Sequence, residues 1–374
     1  MRTWLHRIRP HLQRALPLSS YRHICRGATR PLALLGAVAL VGRQHPLGMT
    51  APPIMCLSTS AADRKVVLVQ NGKASAPWIE KGKLLKDYTG AYTTARTVDQ
   101  TSIFELDMHC RRLHETATAI LHRQLAGAAE PAGASTMKAA SSFLERVGVE
   151  GLKPLVRREM STALQYLGAS ESASEYQVTM LLTWDTVGAH TPDGRGFDLF
   201  TFVQPMPSID PMVDVEAHRA TRNNPTIKDV QWVNDRQYLE ELQKKAGVNE
   251  VVMFDADGSV SEGLQTNFFA VSADGVLLTA PDERVLAGTV RKVVLEVAKR
   301  NGIPVRMECP SINALSSWDS CFICSTSRLV KPIRHLRAPE FSADRSFPAE
   351  QSIAHRLEAL VRNSVRSNSE SLAP

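Results

Sequence analysis

Between residues 251 and 279 the chain alternates short apolar runs with Asp-Gly turns, a pattern that no helix can accommodate. Val251 to Phe254 and Val260 flank a turn built from Asp255, Ala256, Asp257 and Gly258. Phe268 to Val271 and Val276 to Thr279 flank a second one at Ala273, Asp274 and Gly275. Each reads as a hairpin, because Asp and Gly tolerate the backbone that such turns need. The period then changes. Val290, Val293, Val294, Val297 and Ala298 fall on one helical face, which stops at Asn301 and Gly302 with Pro304 behind. Residues 321–324 form a further apolar strand, residues 235–246 an amphipathic helix ended by Gly247, and residues 349–365 a terminal helix.

The first half mixes the same elements. Residues 65–70 predict a strand closed by Asn71 and Gly72, residues 91–98 a second, and residues 103–106 its hairpin partner. Asp107 opens a helix whose apolar face carries Leu113, Ala117, Ile120, Leu121 and Leu125. Residues 126–142 read as a loop and the entry to another helix. Residues 176–184 and 199–203 read as strands joined by a turn-rich stretch at 191–196. Three prolines in residues 204–211 make a stiff connection. The expectation is an α/β (α+β) enzyme of two domains: a leader over 1–62, a small α/β domain over 63–205, a linker at 206–211 and a larger α/β domain over 212–374.

Charge separates the leader from the body. Residues 1–62 hold eight Arg and no Lys, Asp or Glu, so without them the net charge of +6 becomes −2, with 36 basic against 38 acidic residues. The basic excess is therefore no nucleic-acid footprint. An Arg-rich, acid-free leader has the composition of a cleavable transit peptide, mitochondrial ahead of plastid, with a secretory signal as the rival. No apolar run reaches the roughly 18 residues of a membrane span. The six Cys, at 25, 56, 110, 309, 321 and 324, suggest neither a disulfide framework nor a metal site. Cys321 and Cys324 share a C-x-x-C spacing, but in a strand they face opposite sides.

Several segments could carry chemistry, and each has a plainer reading. Gly288 and Thr289 lead into the helix from Val290, where free N–H groups and the helix dipole suit a phosphate; alternatively Thr289 is only an N-cap. Glu262, between Ser261 and Gly263 and ahead of Asn267, is a costly carboxylate in apolar surroundings. It suits a protonated ring nitrogen, or is a turn residue. Arg112 sits beside the apolar face of the first long helix, where its fork fits a phosphate, or is exposed. Lys228 and Lys331 are the lysines in strand-like context, and physical reasoning alone does not choose between them.

In chain order these segments resemble the class IV pyridoxal-phosphate enzymes, which include branched-chain aminotransferases, D-amino acid aminotransferases and aminodeoxychorismate lyases. The resemblance spans roughly residues 65–365. It rests on Gly90 to Arg96, on His109 with Arg112 and Leu113, on Lys228, on Ser261, Glu262 and Gly263 with Asn267, and on Leu286 to Arg291; the 34-residue gap from Lys228 to Glu262 adds to it. It implies the D-amino acid aminotransferase-like fold, bound pyridoxal 5'-phosphate and a homodimer. Lys228 would condense with the cofactor's aldehyde and later carry the substrate's proton. Glu262 would hold the ring nitrogen protonated. Arg112, Gly288, Thr289, Val290 and Thr326 would bind the phosphate side, with Asn267 supporting them. Tyr92, Thr94, Arg96, Tyr176 and Ser327 would line the substrate side. Lys331, by the same match, sits beyond the site.

Two positions depart from the family pattern. Val290 lacks the hydroxyl usual on the phosphate, which Thr289 can replace, and Val233 stands where branched-chain enzymes carry a tyrosine. The activity implied is amino transfer between an amino acid, branched-chain-like, and a 2-oxo acid. Aminodeoxychorismate lyase action, releasing pyruvate, is the alternative within the family. A cofactor-binding scaffold without turnover is the alternative outside it.

Overall fold

The computed structural model describes residues 66–127, 133–168, 175–185, 194–348 and 350–372, so the expected leader and residues 191–193 of the expected turn lie outside the described residues. The first sheet contains β1 (Val67–Gln70), β2 (Lys73–Ser75), β3 (Gly90–Val98), β4 (Ser102–Phe104), β5 (Tyr176–Thr183) and β6 (Asp198–Pro205). Helix α1 (Lys81–Asp87) follows β2, and α2 (Leu106–Leu125) and α3 (Ala134–Leu167) lie between β4 and β5. The hairpin expected from residues 91–106 is present, with Thr97 opposite Ile103. Leu113, Ala117, Ile120 and Leu121 of α2 join Leu144, Val156 and Met160 of α3 in a core against Val178, Met180 and Leu182 of β5.

The second sheet starts at β7 (Val213–Arg219), just past the proline-rich connection. It continues with β8 (Glu250–Phe254), β9 (Val260–Gly263), β10 (Asn267–Ser272), β11 (Leu277–Leu278), β12 (Val305–Arg306), β13 (Trp318–Ser325), β14 (Leu329–Ala338) and β15 (Ala343–Ser346). Both Asp-Gly hairpins appear, as β8–β9 and β10–β11. The pairing β9-β8-β7-β14-β13-β10 returns to β9 through a single opposed pair, Glu262 and Asn267. Six strands thus close on themselves at two residues that the sequence singles out for chemistry. Alternation sorts the side chains. Val215, Phe254, Phe268 and Cys321 share one core. Phe269, Phe322 and Cys324 belong to another, with α6 (Thr289–Arg300) and α7 (Ile353–Ser364). Cys321 and Cys324 are therefore on opposite faces of β13.

Three local expectations change. The helix expected over 235–246 is present as α5 (Gln237–Ala246), and an unexpected short helix, α4 (Gln231–Asp235), precedes it across a break at Arg236. Trp232 Nε1 and Arg236 Nη1 both donate to the Leu264 carbonyl, at 2.9 and 3.2 Å, which ties the break to the loop after β9. The helix expected from Val290 begins one residue earlier, at Thr289, with Gly288 as its cap. The chain end also returns: β16 (Ser369–Ser371) pairs with β4, so the first sheet recruits residues from beyond the second. No helix among the described residues is long and apolar enough to cross a membrane.

Helix α3 buries one carboxylate fully. Burial pushes Glu159 up to about 7, against the Gly72 N–H and the Arg195 and Arg158 charges. A carboxyl raised by folding stabilises fully only below its unfolded value, near 4.5, and loses that contribution as pH rises through its folded value. Folding free energy is therefore expected to fall by on the order of 3 kcal/mol between those limits. Urea titrations at pH 5 and pH 8 check this. Glu159→Gln should flatten the difference, and an unchanged slope in that variant would exclude this carboxyl as its source.

Candidate active site

Lys228 is placed by backbone bonds on both sides. Its N–H donates to Thr116 Oγ1 of α2 at 3.2 Å, and its carbonyl accepts from the Tyr92 N–H of β3 at 3.1 Å. Asp229 then bridges to Ala91, so the segment lies along β3 as a short extended piece. The amine sits over the Tyr92 ring, 4.7 Å from its centroid. Burial, then the Arg112, Arg222 and Arg236 charges, lower the Lys228 amine to about 8, with Tyr92 opposing them. At that value a useful fraction is the free, nucleophilic amine near neutrality.

Glu262 is 3% exposed at the end of β9. Arg222 Nη1 donates to its Oε1 at 3.3 Å, and the Leu286 N–H to its Oε2 at 3.2 Å. Burial raises its carboxyl, while Arg222, the Leu286 N–H and Lys228 pull the other way. Its sheet partner Asn267 donates through Nδ2 to the Leu286 carbonyl at 2.8 Å. These bonds hold the loop that enters α6. A Cβ on Gly288 would stand 2.0 Å from Asn267 Oδ1, so close approach, and not backbone angle, demands glycine there.

The start of α6 presents N–H groups that have no partner within the helix. Thr289 Oγ1 and Thr326 Oγ1 meet at 2.8 Å beside it, so the hydroxyl missing at Val290 has a substitute on the neighbouring residue. Arg112 of α2 reaches across to donate to the Ala287 carbonyl at 2.6 Å, and burial brings its guanidinium down to about 10. His109, one turn earlier on the same helix, is fully buried against Thr93 Oγ1 at 2.7 Å. Burial, with Arg112 and Lys228 nearby, holds it well below the usual histidine range, so it is a neutral spacer under the arginine.

These residues face one cavity of about 700 Å³. Tyr92, Thr94, Arg112, Lys228, Glu262, Asn267, Gly288, Thr289, Val290, Thr326 and Ser327 all line it, and Val233 fills part of the wall. Two expected substrate-side residues are elsewhere. Tyr176 is packed in the core beneath the first sheet. Arg96 opens onto a smaller adjoining cavity of about 170 Å³, where Lys331 also lies. On a strand, side chains four apart share a face but are separated by more than 12 Å, so Arg96 and Tyr92 reach different hollows. Sequence reasoning also missed wall residues. Arg222 and Arg236 sit in a loop and at a helix break with no periodic signature. Lys81 reaches in from α1 and donates to Gln177 Oε1 at 2.6 Å, and Gln177 in turn donates to Ser327 Oγ at 2.9 Å.

Comparison with known proteins bears on the family and the fold. The family model for class IV amino-transferases matches residues 90–336. A putative branched-chain-amino-acid aminotransferase of Methanocaldococcus jannaschii is 36% identical over 112 residues, which are 29% of this chain and 38% of that protein. A D-alanine aminotransferase of Listeria monocytogenes is 41% identical over 68 residues, 18% of this chain and 24% of that protein. The matches thus span well under half the length of these curated relatives. The solved branched-chain aminotransferase of Thermoproteus uzoniensis with norvaline superposes with a TM-score of 0.60 at 18% identity, over 82% of this chain and 99% of that one. The Escherichia coli branched-chain aminotransferase gives 0.56 at 18% identity, over 83% and 100%. At such identities the likeness is one of fold. The family match runs from β3 into β14 and includes the lysine segment, the β9–β10 closure and the α6 entrance, and the chain belongs to the class IV amino-transferases.

Proposed function

We propose that the chain is a pyridoxal-phosphate-dependent aminotransferase that moves an amino group between a small amino acid, branched-chain-like in its side chain, and a 2-oxo acid. One observation carries the reading: the Lys228 amine and the buried Glu262 carboxylate open onto the same cavity, with Arg112 and the start of α6 beside them. The cavity lies within the range of about 300–1,000 Å³ typical of small-molecule sites. The residues present suit the cofactor: an amine lowered to about 8, a buried carboxylate, and donors gathered where a glycine leaves no room for a side chain.

Bound there, pyridoxal phosphate would supply an electron-withdrawing ring that stabilises negative charge on the substrate's α-carbon. Arg112, the first N–H groups of α6 and the Thr326 hydroxyl would hold its phosphate. Glu262, kept in place by Arg222 and the Leu286 N–H, would accept a hydrogen bond from its ring nitrogen. Lys228 would hold the aldehyde carbon through its amine and, when free, move the proton at the substrate's α-carbon. Thr94 and Ser327 stand on the same wall and would orient the substrate.

The aminotransferase names of the matched relatives support transfer over the lyase reading. The lysine, carboxylate and arginine sharing one cavity speak against an inactive scaffold. The proposal includes a homodimer, supported by the family resemblance, and an organelle-directing leader, supported by the acid-free composition of residues 1–62. A donor screen tests the activity. Loaded protein with 2-oxoglutarate is expected to form glutamate from leucine, isoleucine or valine. Pyruvate released from aminodeoxychorismate without an acceptor would transfer the assignment to the lyases, and no product from any donor would sink it.

A further inference from the structure

The cavity wall carries a half-buried cation that the chemistry above does not use. Lys81, the first residue of α1, lines the cavity and donates to Gln177 Oε1 at 2.6 Å. An ammonium has three donors, and among the described residues this one makes no other hydrogen bond and no ion pair. The neighbouring cations differ. Arg222 is matched by Glu262 at 3.3 Å, Arg236 by Glu240 at 2.9 Å and Arg328 by Glu250 at 2.9 Å. Arg112 and Lys228 have the roles given above. Lys86 and Asp210 also line the cavity but are exposed, where water screens them. Nor does α1 call for a cation at this place, because the first turn of a helix favours negative charge.

The polar groups around Lys81 form a row across the first sheet. Gln177 of β5 lies opposite Gln204 of β6, whose Nε2 also donates to Gln177 Oε1, at 3.3 Å. Gln177 Nε2 in turn donates to Ser327 Oγ at 2.9 Å, which leaves Ser327 its own proton to donate. Tyr92, with the Lys228 amine over its ring, lies opposite Leu181 of β5, four residues from Gln177. Four residues of strand span about 13 Å, so this end of the cavity stands away from the reacting carbon. It suits a group at the far end of a substrate, not the carboxylate on the α-carbon. Burial lowers the Lys81 amine from the ordinary lysine value, as it does for a cation held without a carboxylate beside it.

We propose that Lys81 is a specificity-determining residue: with Ser327 it receives an acidic group at the distal end of the amino acceptor, so that the acceptor is a 2-oxo dicarboxylic acid. The inference rests on the reading of the cavity as an aminotransferase site. A carboxylate has acceptor positions for the two remaining ammonium hydrogens and for the serine proton, and such charge-assisted bonds are the strong ones. A branched-chain donor carries no acidic group at that end and makes no use of them.

The test measures binding first. Glutarate and butyrate, neither of which can react, are titrated calorimetrically into protein incubated with pyridoxal phosphate. The unchanged protein should prefer glutarate, and Lys81→Met should cut that preference about tenfold, with partial recovery in Lys81→Arg. Turnover follows, with leucine as donor and either 2-oxoglutarate or 2-oxobutanoate as acceptor. In Lys81→Met the KM for 2-oxoglutarate should rise about tenfold more than that for 2-oxobutanoate, with a smaller effect on kcat. A glutarate preference that survives in Lys81→Met, or that the unchanged protein lacks, would overturn the proposal, as would equal losses for the two acceptors. Should Lys81→Met not fold, Lys81→Gln, which keeps a donor but no charge, decides on the same glutarate-to-butyrate ratio. If no acceptor yields product from any donor, the aminotransferase reading fails, while the two titrations still report on Lys81.

Discussion

Replacing Lys228 by alanine is expected to abolish covalent retention of pyridoxal phosphate and to lower turnover by at least roughly 10²–10⁴-fold, the contribution of a positioned acid–base group. The fold should survive. The lysine is half-buried in a cavity wall, and its structural bonds come from its N–H and carbonyl, which alanine keeps. The variant should even relieve like-charge crowding from Arg112, Arg222 and Arg236. In the unchanged protein the attachment rate should climb with pH through about 8, because the amine is protonated below that value. Absorbance spectra before and after gel filtration, with initial rates from pH 6 to 9, check both statements. Turnover persisting in the alanine variant would remove Lys228 from the chemistry.

The second large effect is at Glu262, where stability and function separate by choice of substitution. Its side chain and that of Arg222 are 4% and 6% exposed. Glu262→Ala leaves a buried guanidinium without its carboxylate, which costs about 3–5 kcal/mol. It also frees the Leu286 N–H, and so loosens the loop that Asn267 and Gly288 hold against α6. Glu262→Gln keeps an acceptor for one of the two donors and the volume of the side chain, so it should lose less stability, yet it cannot supply a negative charge to a protonated ring nitrogen. The expected pattern is a large drop in the unfolding midpoint for alanine, and a smaller drop with strongly reduced turnover for glutamine. A glutamine variant with undiminished turnover would contradict the role given to the carboxylate.

Much of this site is legible in the sequence, for identifiable reasons. Lys228 stands in an extended stretch between turn residues. Glu262 follows a hairpin strand, and Gly288 precedes a strongly periodic helix; each carries a local signal. Their order along the chain resembles one family, which selects Lys228 over Lys331, and the smaller hollow around Lys331 is consistent with that choice. Arg222 and Arg236 are not legible, because their burial comes from tertiary partners, the Leu264 carbonyl and the Glu262 carboxylate, that local pattern does not encode. Arg96 shows the converse. Its motif suggests the substrate side, but its position further along the same face of β3 carries it past the cavity that Tyr92 and Thr94 reach. Sheet order was also hidden: β7, β14 and β16 pair with strands far away in the chain, and β9 closes on β10 through one residue pair. Such pairings depend on the whole sheet, whereas hairpins such as β8–β9 and β10–β11 follow from their own turns.

The most direct test is to incubate the unmutated protein with pyridoxal phosphate, reduce with borohydride, digest, and locate the fixed cofactor by mass spectrometry. The account predicts a single phosphopyridoxyl group on the peptide that contains Lys228. Label on Lys331, label scattered over the exposed lysines, or no label at all would contradict it.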